Sequence, residues 1–109
     1  MDEHQNVARF RLTAARAQET IREAALDADN VVWSTHALER MEERGIYDID
    51  VLRILRSGWV DNDPEPTVRG EWKCKITLNI KRGRTAGVVT IIMLNGALFV
   101  KTVEWEDSI

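Results

Sequence analysis

A single cysteine, Cys74, leaves the chain no internal disulfide and no Cys-pair zinc site. Histidine is nearly as scarce, with only His4 and His36, and their spacing assembles no metal cluster. No metal and no other cofactor are expected. The two prolines both fall in one stretch, "DNDPEPTVRG". No run approaches the about 20 apolar residues of a membrane span. The opening "MDEHQNVARF" lacks the basic start and apolar stretch of a secretory signal, so a cytoplasmic location with no membrane partner is expected. A charge excess is missing too: 15 Lys and Arg stand against 18 Asp and Glu, a formal net charge of -3. That balance argues against a purely electrostatic binder of nucleic acid or membrane. There is no internal repeat and no low-complexity tract.

What is present suits a globular domain. At 109 residues, 44% hydrophobic and 30% charged, the chain can build one core but not two. Its hydrophobic period changes once, from helical to alternating. Val7, Phe10, Ala14, Ala17, Ile21, Ala24 and Ala28 recur at steps of three and four, which predicts one amphipathic helix within residues 1–30. The stripe is mostly alanine and buries little area per residue. An appendage making a partner or homodimer contact is the expectation for this helix.

After a short extended "VVW", Ser34 is a good N-cap for a helix through Arg44, with Gly45 as its left-handed stop. Asp48 or Asp50 caps a further helix whose Val51, Leu52 and Leu55 face the core before Gly58 ends it. "DNDPEPTVRG" reads as an exposed loop, unfit for a helix or a central strand. In "EWKCKITLNIK" the apolar set Trp72, Cys74, Ile76, Leu78 and Ile80 alternates with polar residues, as in a strand with one wet face. Asn95-Gly96 is the strongest turn signal, and a two-residue type I′ turn there sets Ile92 opposite Phe99, Ile91 opposite Val100 and Thr90 opposite Lys101. In that register both hairpin faces are largely apolar, which calls for helices on both sides or another chain. The fold class is α+β: N-terminal helices followed by an antiparallel β-meander.

The run "STHALERMEERGIYDIDVLRILRSGWV", then a proline-containing loop and a meander ending in "KTVEWED", resembles domain of unknown function 4258. The pattern Ser-x-His-Ala-x-x-Arg-Met-x-x-Arg-Gly-Ile carries the resemblance, which covers about residues 33 to 105. The family looks like a distant relative of the RelE and ParE toxins. The resemblance therefore implies a RelE-like single α+β domain over residues 31–109. It also implies a toxin-antitoxin role, with RNA, including ribosome-associated mRNA, and a cognate antitoxin as partners. RelE-type members cleave messenger RNA, and the ParE branch poisons gyrase.

Metal-independent RNA cleavage needs a base, a cation for the crowded phosphate and an acid for the leaving oxygen, since the substrate's own 2′-hydroxyl attacks. His36 in the first turn of its helix and Arg40 one turn on are of the right types. They have a plain structural reading as well. His36 can hold the helix start, Arg40 can pair with Glu43, and Arg44 can serve as a C-terminal dipole partner.

A second constellation is "WKCKITLNIKRGR", which places Lys73, Lys75, Lys81, Arg82 and Arg84 within thirteen residues without an acid. It reads either as an RNA groove or as an edge strand blunted by lysine. On the RelE-like reading Lys75 joins His36 and Arg40 as catalytic, while Lys73, Lys81, Arg82 and Arg84 bind RNA. Trp33, Trp59, Trp72 and Trp105 fit core edges better than base-stacking platforms, and "EWEDSI" reads as a loose tail. Three functions stay open: a RelE-like endoribonuclease, a non-catalytic RNA- or protein-binding module, and a ParE-like gyrase inhibitor.

Overall fold

A computed structural model describes residues 11–107. The first element among the described residues is helix α1 (Ala14–Ala24), and a 3-10 turn (Ala28–Asn30) leads into strand β1 (Val31–Trp33). Helices α2 (Thr35–Arg44) and α3 (Asp48–Ser57) follow, then β2 (Glu65–Pro66), β3 (Trp72–Lys81), β4 (Arg84–Ile92) and β5 (Leu98–Trp105). The five strands form one sheet in the order β1-β5-β4-β3-β2. The three long strands are the antiparallel meander, and β1 joins β5 in parallel, so the sheet is mixed. Among the described residues no helix is long and apolar enough to cross a membrane.

Helix α1 is shorter than its alanine stripe, of which Val7 and Phe10 lie outside the described residues. Thr13 sets its start by accepting the Arg16 N–H, and Asp63 accepts the Ala14 N–H at 2.8 Å. Asn30 closes the other end by donating to the Ala24 carbonyl at 3.0 Å. Ala17, Ile21 and Ala25 are fully buried in the chain's own core, and α1 packs on α3. Small residues suit this place because they let the two helices approach closely.

The proline-bearing stretch is less irregular than its composition suggests. Glu65 and Pro66 pair with Lys73 and Trp72 as a two-residue edge strand, a position where a missing proline N–H costs no ladder bond.

The hairpin between β4 and β5 departs from the two-residue turn. The Gly96 N–H donates to the Met93 carbonyl at 2.9 Å and the Met93 N–H to Ala97 at 2.8 Å, with Gly96 at φ 88°. This is a three-residue loop, a type I turn closed by a left-handed glycine. It shifts the pairing by one, so Ile92 meets Leu98 and Thr90 meets Val100. A bulge at Lys101 then restores the expected phase, and Val89 meets Thr102. In consequence Val88, Thr90, Ile92, Leu98, Val100 and Val103 share one buried face. The type I′ geometry belongs instead to the β3–β4 turn, where Arg82 (φ 47°) and Gly83 (φ 80°) lie between the paired Lys81 and Arg84.

Helices α2 and α3 cover the buried face. Strand alternation sends Lys73, Lys75, Val89, Ile91, Phe99, Thr102 and Glu104 to the other face. That face is mixed rather than apolar, and charged side chains lie across part of it.

Candidate functional site

Ser34 starts α2 and ties it to the sheet: its Oγ accepts the Ala37 N–H at 2.9 Å and donates to the Lys101 carbonyl at 3.0 Å. His36 follows in the first turn, exposed and without a hydrogen bond or ion pair among the described residues. Arg40, one turn on, pairs with Glu43. Arg44 reaches the sheet, donating to the Val103 carbonyl at 2.6 Å, while the Trp105 indole N–H donates back to the Arg44 carbonyl at 2.8 Å. The histidine and the two arginines thus do three different things, and the last of them docks the helix end on β5.

The basic strand is largely neutralised from within the chain. Lys75 Nζ lies 3.2 Å from Glu104 and 2.9 Å from Glu106. Its hydrogen bond to Glu106, stronger than the opposing effect of burial, holds the ammonium above its ordinary range. Lys73 stands 3.9 Å from Glu65. Arg84 grips Asp107 with two parallel bonds, Nε at 3.0 Å and Nη2 at 3.2 Å, and stacks on the Trp105 ring at 3.9 Å. The acids of "EWEDSI" are therefore engaged in the fold as far as Asp107, rather than loose. Glu104 and Glu106 serve Lys75, and Asp107 serves Arg84.

Two consequences follow for the site residues expected from sequence. His36 and Arg40 ride on α2, which covers the buried face, whereas Lys73 and Lys75 occupy the opposite face. The sheet stands between them, so these four side chains do not converge on one phosphate. Lys81, Arg82 and Arg84 do come together, and with residues the sequence did not single out for this role. Arg44, Gly45, Tyr47 and Trp105 join them around a cleft of about 290 Å³. The signal was available in Gly45, whose left-handed conformation (φ 66°) turns the chain so that Tyr47 returns to the same end of the sheet.

Local geometry presents this end. Ile80 is an extra residue between the Asn79–Thr85 and Lys81–Arg84 pairs, and its carbonyl accepts from Arg53 Nη2 at 3.1 Å. The bulge bends β3 and α3 holds it down, so the tip is carried on rigid elements. Lys81 and Arg82 have no carboxylate partner among the described residues, and both are exposed. Tyr47 is 64% exposed. The cleft combines a guanidinium backed by an indole, two exposed cations and an open phenol ring. Such a surface can pair with phosphates and stack against a base.

Behind Lys75, Cys74 lies in the apolar phase of β3, and burial pushes its thiol up to about 11. It is a small core side chain and not a nucleophile.

No curated protein and no solved structure matches the chain. A family model does, and its match spans both α2 and α3, the proline loop and the whole meander, leaving α1 outside. Over residues 33–105 the chain belongs to the family described as Domain of unknown function (DUF4258).

Proposed function

We propose that the chain is a non-catalytic RNA-binding module on a small α+β scaffold of the kind that RelE and ParE toxins use, with the β3–β4 hairpin tip as its contact surface. The observation that carries this is the pair Lys81 and Arg82, without a carboxylate partner among the described residues, beside Arg84, Trp105 and Tyr47. A net negative chain can bind RNA through a local cationic patch, because screening limits repulsion from distant acids to about 8 Å at physiological salt. Cleavage asks more. It needs a base, an acid and a cation around one phosphate, and His36 and Lys75 lie on different faces of the molecule.

Fluorescence anisotropy with a labelled single-stranded RNA 12-mer at low salt tests the proposal. Binding that weakens with salt, and that loses about one unit of log–log slope per cation when Lys81→Ala or Arg82→Ala is introduced, supports it. Salt-independent or absent binding overturns it. The same RNA is then run on a gel, and cleavage by the wild type that His36→Ala abolishes would establish the endoribonuclease instead. Growth after tight induction in a bacterial host, with RNA kept intact, separates a gyrase inhibitor, which arrests growth, from a binding module, which does not.

A further inference from the structure

We infer that the Arg84 guanidinium is a phosphate subsite, and that the Asp107 carboxylate fills it in the free chain. The inference rests on the RNA-binding proposal and adds a competitor built into the same surface.

The geometry is specific. Arg84 offers Asp107 the two parallel N–H groups, Nε and Nη2, that arginine uses to grip a carboxylate or a phosphate alike. Trp105 fixes the plane of the fork by lying under it at 3.9 Å. The indole is anchored in turn by its bond to the Arg44 carbonyl, so the fork is preorganised whether or not Asp107 occupies it. The Glu106 N–H donates to the Thr85 carbonyl at 2.8 Å, which extends the β5 edge by one residue. Alternation then turns the Glu106 side chain toward Lys75 and Asp107 toward Arg84.

The contact is also suited to exchange. Arg84 and Asp107 are 47% and 44% exposed, and ion pairs this open hold weakly. Arg84 keeps the Asp107 carboxyl below its usual range, so an incoming phosphate meets a charged competitor and replaces one anion with another. Both anions cannot occupy one fork. Lys81 and Arg82 stand beside it without a carboxylate partner among the described residues, and they would hold the neighbouring phosphates of a chain once the first is seated.

A double-mutant cycle tests the subsite. Wild type, Asp107→Ala, Arg84→Ala and the double variant are titrated with the labelled RNA 12-mer. Glu42→Gln, an exposed α2 position, serves as a control for the change in net charge. Removing Asp107 is expected to tighten binding about two- to fivefold. That gain is expected to vanish in the Arg84→Ala background and to be absent in Glu42→Gln. The Arg84 side-chain Nε–H resonance should shift when RNA is added to the wild type. Equal tightening in both backgrounds would make the effect one of general charge and overturn the subsite. Unchanged affinity of Asp107→Ala, with wild-type binding intact, would overturn it as well while leaving RNA binding in place. Absence of binding by every variant would remove both proposals together.

Discussion

Lys75 and Glu106 meet across Gly87. Lys75 Nζ lies 2.9 Å from Glu106 Oε1, and a Cβ added to Gly87 would come within 2.6 Å of Glu106 Oε2 and 3.1 Å of Lys75 Cδ. The glycine thus makes a flat place in the middle strand, where the ion pair lies against the sheet. Gly58 is crowded in a different way: a Cβ there would stand 2.5 Å from the Ile54 carbonyl oxygen and 2.7 Å from that of Thr77.

The two glycines should therefore respond differently to alanine. At Gly87 only the ends of two flexible side chains have to move, so Gly87→Ala is expected to change stability by no more than about 1 kcal/mol. At Gly58 the obstacle is backbone, held by the α3 terminus on one side and by the pairing of Trp59 with Thr77 on the other. Gly58→Ala is expected to cost about 3 kcal/mol, as overpacking a rigid site does. Urea denaturation midpoints of the two variants measure the contrast, and similar midpoints would show that the Gly58 backbone yields.

Stability should fall on the alkaline side before Lys75 titrates. Cys74 ionises near 9.0 in the unfolded chain and at about 11 in the fold, so the native state holds the proton that the unfolded state gives up. Its contribution is complete below pH 9 and is lost as pH rises toward 11, at most about 2–3 kcal/mol. Lys75, also raised, adds a loss that begins above 10.5. Asp107 acts at the acid end, where its contribution disappears as pH falls below 3.8. Thermal midpoints between pH 8 and 10.5 should decline in wild type and stay flatter in Cys74→Ala. An equal decline in both would assign the slope to other groups.

Local signals in the sequence were reliable wherever one residue decides the geometry. Ser34 caps α2, Gly45 ends it in the left-handed region, and alternation from Trp72 to Ile80 gives β3 its inward face. The hairpin register was less legible, because Asn95-Gly96 is compatible with either a two- or a three-residue loop and the choice depends on which residues must share the core. The site was hardest to see. Lys75 and Arg84 find their acids 29, 31 and 23 residues away, a separation at which a basic stretch and an acidic tail look unrelated. Their pairing appears only when β5 returns beside β4.

His36 and Ser34 should separate function from framework in α2. His36 makes no hydrogen bond or ion pair among the described residues, so His36→Ala is expected to stay within about 0.5 kcal/mol of wild type and to leave RNA affinity unchanged. Ser34→Ala removes both the cap of Ala37 and the tie to Lys101, at a cost of about 1–2 kcal/mol. Calorimetric melting with RNA titration checks both. Intact stability with lost RNA affinity in His36→Ala would move the contact surface onto α2.

Two arginines tie α1 to α3. Arg22 on α1 donates from Nη2 to the Ser57 and Gly58 carbonyls, at 3.2 and 2.7 Å, at the end of α3. Arg56 on α3 donates from Nε to the Ala25 carbonyl at 2.7 Å, just past the end of α1. Each helix therefore has its terminal carbonyls satisfied by a cation from the other, which also suits the negative end of each dipole. Arg22→Ala and Arg56→Ala should each cost about 1–3 kcal/mol, the loss of charged hydrogen bonds to half-buried carbonyls. Both bridges hold the same helix pair in register, so the first loss should loosen the geometry the second requires. The double variant is then expected to lose less than the two singles added together, by more than about 0.5 kcal/mol. Arg22→Lys should not restore the wild type, because one ammonium lacks the planar group that lies 5.1 Å over Trp59 while reaching two carbonyls. Strict additivity in urea denaturation would mean that the two caps act independently of each other.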